Sequence, residues 1–198
     1  MARHPLVHLL IDIVNPLDFP GAERLLPRAL RAARHIGGLK QRLGHAGVPT
    51  VFVNDNFDQW QLSFHDLVER YRETAPPGAA LLRYVSPVQG DHYILKPKHS
   101  AFYATSLDVL LDAWHAERLI LTGIAGNICV LFTANDAHMR GYDLIVPADC
   151  IASETDMDDR WALNQMRRVL SADVRASASL IDVAEATSSS KEQARAAG

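Results

Sequence analysis

The chain has 198 residues, of which 48% are apolar and 22% charged, the composition of one globular domain with a sizeable core rather than of a disordered or fibrous chain. A formal net charge of −3 with both signs interspersed argues against nucleic acid as a partner, and no apolar stretch is long enough to span a membrane. The two cysteines, Cys129 and Cys150, lack the spacing of a disulfide framework or a zinc site, so a reducing cytoplasm is the expected compartment.

Residues 7–14 (VHLLIDIV) predict a buried strand, because Asp12 interrupts the run too early for a signal-peptide core. A loop rich in Pro and Asp follows. Residues 22–45 have helical spacing of Leu, Ala and Ile, weakened in the middle by Gly37 and Gly38, with the basic residues from Arg28 to Arg42 on a solvated face. A second strand is predicted over 49–54, then a helix over 61–73 broken by Ala75-Pro76-Pro77-Gly78. A third strand falls on 92–95, a helix capped by Ser106 on 107–116, and a fourth strand on 118–122. A helix over 127–140 ends at Gly141. A fifth strand over 142–147, a helix over 156–171 and a sixth strand over 178–183 complete the order. Alternating helices and continuous apolar strands predict an α/β fold, a Rossmann-like three-layer αβα sandwich with a mainly parallel sheet of about six strands. One domain is expected over 1–185, with a flexible C-terminal tail over 186–198.

In such sheets ligands sit beyond the C-terminal strand ends. Asp12, Lys96 and Cys129 all fall there, at the ends of strands one, three and four. Cys129 opens a helix, where unpaired N–H groups and the helix dipole favour a thiolate. Lys96 would stabilise that thiolate, and Asp12 could move its proton. Backbone N–H groups of Ala125 and Cys129 could hold an oxyanion. Each residue also has a plain structural reading: a thiol filling the core, an Asp ending a strand, a solvated Lys. Cys150, with no helical turn around it, keeps only that plain reading.

The motifs around these residues resemble the isochorismatase-like family of cysteine hydrolases, which includes nicotinamidases and N-carbamoylsarcosine amidohydrolases. The first is Leu9-Leu10-Ile11-Asp12-Ile13-Val14-Asn15 with Phe19 beyond it. The second is Lys96-Pro97-Lys98-His99-Ser100-Ala101-Phe102, followed by Thr105 and Leu107. The most specific is Thr122-Gly123-Ile124-Ala125-Gly126-Asn127-Ile128-Cys129-Val130, reaching Gly141-Tyr142, and Asp149-Cys150-Ile151-Ala152-Ser153 echoes a closing motif. The resemblance covers roughly 6–172 and implies an Asp12–Lys96–Cys129 triad, a cis peptide at Ile124-Ala125, no cofactor, and a homo-oligomer, dimer or tetramer.

Several positions depart from the family pattern. Nicotinamidases carry Asp-x-His with further histidines after strand two and bind a metal there. Here Val53-Asn54-Asp55-Asn56-Phe57-Asp58-Gln59-Trp60 offers only His65 nearby, so no metal of that type is expected; Asp55 and Asp58 could hold a hard cation but read better as solvated loop acids. Pro16 and Leu17 replace a frequent Asp-Phe, and Gly126 a frequent Thr, changes that would reshape the pocket. Phe19 and Trp60 either line an apolar pocket or pack the loops down; Asn15, Asn54, His99 and Phe102 are further candidate substrate contacts. The expected function is cysteine-dependent hydrolysis of a C–N bond in a small amide, carbamoyl or ureido compound through a thioester. The alternatives are isochorismatase-type enol-ether hydrolysis and a catalytically silent binding protein of the same fold.

Overall fold

The computed structural model describes residues 3–180. Six parallel strands form its sheet: β1 (Leu6–Ile11), β2 (Thr50–Asp55), β3 (His92–Lys96), β4 (Arg118–Ile124), β5 (Asp143–Ile145) and β6 (Ile151–Ala152). The order is β3-β2-β1-β4-β5, and β6 joins the same edge of β4 beyond β5. Both faces are covered, which is why the strands read as unbroken apolar runs. Leu6, Leu10, Phe52 and Ile120 point toward α1 (Ala22–His45), α2 (Phe64–Thr74) and α3 (Pro76–Leu82). Val7, Leu9, Val51 and Leu121 point toward α4 (Leu107–Ala113), α5 (Leu131–Met139) and α6 (Asp156–Val169). Each fully buried Leu or Ile contributes about 1.5–3 kcal/mol. None of the described helices is long and apolar enough to cross a membrane.

Three local features differ from the sequence expectation. Helix α1 runs unbroken through Gly37 and Gly38 because Leu25, Ala29, Ala32, Ala33, Ile36 and Leu39 keep its apolar face buried. The prolines expected only to break α2 also begin α3, where they occupy its first turn and their missing N–H would have had no helical partner. The expected strand over 178–183 falls instead on a 3-10 turn, Ser177–Ser179, and Leu180; its remaining residues, like the expected tail over 186–198, lie outside the described residues. The sixth strand is the two-residue β6, too short to show in a hydropathy pattern.

Two glycines set the approach of the elements around the strand ends. Gly123 has φ +123°, and a Cβ there would stand 1.9 Å from the Ile11 carbonyl oxygen, so only glycine lets β4 close on β1 at this level. At Gly78 a Cβ would lie 2.5 Å from the Asn15 carbonyl oxygen, and its absence lets α3 press against the loop after β1.

Candidate active site

Strand β1 ends when Asp12 turns into the left-handed region at φ 52°, a conformation Asp tolerates better than most residues. Its Oδ1 accepts the backbone N–H of Asp55 at 2.7 Å. Lys96, the last residue of β3, is wholly buried and aims its Nζ at Asp12 Oδ2, 2.9 Å away. The same ammonium donates to the Lys98 carbonyl at 3.0 Å, lies 3.5 Å from Asp55 Oδ2, and reaches Cys129 Sγ at 3.7 Å. The thiol and the Asp12 carboxylate influence each other's ionisation across the same cluster.

Cys129 sits in a π-helical turn, Gly126–Val130, between β4 and α5. That turn follows a cis peptide at Ile124-Ala125. The Val130 N–H donates to the Ala125 carbonyl at 3.2 Å, and the Asn127 N–H donates to Ser153 Oγ at 3.0 Å. Thr133, buried one turn on, donates to the Cys129 carbonyl at 2.7 Å and accepts the Ala101 N–H at 3.0 Å. It therefore ties the turn bearing Cys129 to the segment that follows Lys96.

The charges in this cluster oppose one another. Burial pushes the Asp12 carboxyl above the ordinary carboxylate range, against the pull of Lys96. Burial also works against the Lys96 ammonium, but Asp12, Cys129 and Asp55 outweigh it and hold its pKa above the usual lysine value. Burial first, and the Asp12 carboxylate second, hold the Cys129 thiol well above its usual range, with Lys96 pulling the other way. Desolvation thus favours the thiol over the thiolate in the resting site. Desolvation of Sγ therefore opposes the ionisation that a helix-start position was expected to ease.

A cavity of about 430 Å³ opens onto the sulfur. Asp12, Cys129, Ala125, Asn15, Phe19 and His99 all line it, so the strand-end rule gathers most of the expected site at one place. Three candidate contacts lie elsewhere. Asn54 is fully buried behind the site, where its side chain bonds the Val14 N–H and carbonyl and fixes the loop after β1. Trp60 is 71% exposed, and Phe102 packs in the core between Tyr142 and Arg140. Pro16, Leu17 and Gly126 are also absent from the cavity wall; Pro16 and Leu17 border a separate cleft beside Gln59 and Tyr71.

The cavity adds residues that the sequence reading passed over. Asp55 is no solvated loop acid: it lines the wall and flanks Lys96. Its position at the end of β2, on the edge shared with Asp12 and Lys96, was the available signal. Glu154 and Asp158 line it too. They follow β6, and could be placed only once that short strand was known. Phe57, Ile124, Ile128 and Leu25 supply apolar surface.

The stretch after β2 does not fit a nicotinamidase-type metal. Phe57, two residues past Asp55, packs its ring against Tyr71, Asn56 Oδ1 accepts the Asp58 N–H, and His65 packs against Tyr93. Of this stretch only Asp55 presents a donor to the cavity, and Lys96 stands beside it. Among the described residues no group of three His, Cys, Asp or Glu side chains is arranged to hold a metal ion.

The family model of the isochorismatase domain matches residues 7–179. The chain belongs to the isochorismatase family. It is 38% identical over 174 residues to the uncharacterized isochorismatase family protein YaaI of Bacillus subtilis (strain 168), covering 88% of this chain and 95% of that protein. It is 28% identical over 154 residues to the maleamate amidohydrolase of Pseudomonas putida (strain KT2440), covering 72% and 70% respectively. Among solved structures, the N-carbamoylsarcosine amidase of Thermoplasma acidophilum is similar with a TM-score of 0.67 and 26% identity, over 89% of this chain and 97% of that one. These relatives make the chain a member of a hydrolase family that includes amidases.

Proposed function

We propose that the protein is a cysteine-dependent hydrolase that cleaves a C–N bond in a small amide, carbamoyl or ureido compound. The observation that carries the reading is the convergence of Asp12, Lys96 and Cys129, with Lys96 Nζ 2.9 Å from the carboxylate and 3.7 Å from the sulfur, at the floor of an open cavity. The amidohydrolase and amidase names among the relatives support the bond type.

Asp12 removes the thiol proton as Sγ bonds to the substrate carbonyl carbon, and the carbonyl oxygen becomes an oxyanion. Because burial raises the Asp12 pKa, this carboxylate is a stronger base than an exposed one. Lys96 offsets the negative charge moving between Asp12 and the sulfur. Backbone N–H groups of Ala125 and Cys129, both on the cavity wall, are the candidate oxyanion donors. Collapse breaks the C–N bond, and Asp12 returns its proton to the leaving nitrogen. The product amine or ammonia departs and leaves a thioester on Cys129. Water then attacks, Asp12 takes its proton, and the carboxylic or carbamic acid is released as the thiol is restored.

A panel of primary amides, carbamoyl and ureido compounds, assayed for ammonia release, tests the reading. Turnover that disappears in Cys129→Ala is expected. Turnover that survives undiminished in Cys129→Ala, or vinyl-ether cleavage without amide hydrolysis, would count against it.

A further inference from the structure

The cavity walls carry charge of one sign. Four carboxylate residues, Asp12, Asp55, Glu154 and Asp158, line it, and no Arg or Lys does. Two of these acids are answered from behind by the buried Lys96, at 2.9 and 3.5 Å. Glu154 is answered from outside by Arg24, whose Nε donates to Glu154 Oε2 at 3.2 Å. Asp158 is different. It is half-buried, accepts only the Thr155 hydroxyl at 2.6 Å, and forms no ion pair among the described residues. The remaining polar wall is Asn15, Asn127 and His99, amid apolar side chains. A carboxylate entering this space would shed water and meet the charge of Asp158, which no cation pairs and only the first turn of α6 offsets, in a medium of reduced dielectric. An ammonium or a neutral group would not.

We infer that the cavity accepts amides whose remainder is uncharged or cationic and turns away those that carry a carboxylate, with Asp158 as the specificity-determining residue. This rests on the cysteine-hydrolase reading but goes further, because the similar maleamate amidohydrolase is named for a carboxylate-bearing amide.

Charged methanethiosulfonate reagents test it without needing the natural substrate. The Cys129 sulfur displaces methanesulfinate and forms a mixed disulfide, so the labelling rate samples the potential inside the cavity. Rates for the trimethylammonium-ethyl and sulfonatoethyl reagents are measured at pH 8, normalised to 2-mercaptoethanol, and assigned to Cys129 rather than Cys150 by peptide mass mapping. The normalised cation-to-anion ratio is expected to be at least about tenfold, and to fall at least about threefold in Asp158→Asn, which keeps an oxygen for Thr155. Glu154→Gln should change it less, since Arg24 already balances that acid. In the amide panel, an amine-bearing amide should exceed its carboxylate-bearing isostere in kcat/KM. A ratio near one or inverted, with Cys129 labelled, would overturn the selectivity and leave the nucleophile reading standing. Where the raised thiol pKa leaves Cys129 unlabelled by both reagents, the amide pair decides: a carboxylate-bearing amide turned over as well as its amine-bearing isostere would overturn the selectivity, and turnover undiminished in Cys129→Ala would overturn the nucleophile reading.

Discussion

Strand β1 buries one titratable group at its middle and presents another just past its end, and the two are accommodated in opposite ways. His8 lies between hydroxyls, 3.2 Å from Thr50 Oγ1 and 2.8 Å from Thr122 Oγ1. Burial, aided by the charge of Lys40, lowers its pKa to about 3, so the ring is neutral across the working range. Asp12, four residues on, faces an ammonium, a thiol and a cavity. The two cysteines divide in the same way. Burial first, then Asp149, raises the Cys150 thiol, which is fully buried in the core beneath α1. Cys129 has a comparable shift but opens onto the cavity. A perturbed pKa therefore does not by itself mark a site; a charged partner and an opening to solvent distinguish the strand end from the strand middle.

The largest expected effect separates the two cysteines. Cys129→Ala should lower amide hydrolysis by at least about 10³-fold, whereas Cys150→Ala should leave kcat within about twofold and cost about 1 kcal/mol of stability. Steady-state kinetics and urea titration check both. Lys96→Met comes next: kcat/KM should fall by about 10²-fold, and loss of one partner of a buried ion pair should cost about 3–5 kcal/mol. A Lys96→Met protein as active as the parent would remove the ammonium from the account.

Smaller effects follow from pH. Asp12 must be ionised to act as a base, and its pKa is raised, so kcat/KM should fall on acidification at a pH above the ordinary Asp value of about 3.9. An acid limb at or below that value would contradict the burial argument. His8 acts on stability in the other sense. Its folded pKa of about 3 lies below the unfolded value of 6.5, so the unfolded chain takes up a proton that the native one refuses. Its contribution is whole above pH 6.5 and is lost as pH falls toward 3, by up to about 1.4 kcal/mol per unit. An NMR titration should find the His8 ring neutral at pH 5; a protonated ring there would break the contrast with Asp12.

Much of this arrangement was legible in the sequence. Continuous apolar runs marked β1, β2 and β4, and the strand-end rule placed Asp12, Lys96 and Cys129 on one edge, which is where they meet. The parts that were not legible share a cause. Strand β6 has two residues and no periodicity, so Glu154 and Asp158, which depend on it, had no address. Asn54, within β2, and Trp60, in the loop beyond it, lie on either side of Asp55 in the chain, yet one turns inward to hold a backbone loop and the other turns out to solvent. Side-chain direction at a strand end depends on tertiary contacts that spacing does not encode. The thiol pKa likewise depends on desolvation, which only the packed structure reveals.

The central claim is that Cys129 attacks the carbonyl of a C–N bond. Acid quench during turnover of an amide that releases ammonia, followed by peptide mass mapping, tests it most directly. The account predicts the acyl mass of the substrate on the peptide bearing Cys129 and none on that bearing Cys150. Ammonia release with no adduct on Cys129, continuing at the same rate in Cys129→Ala, would contradict it.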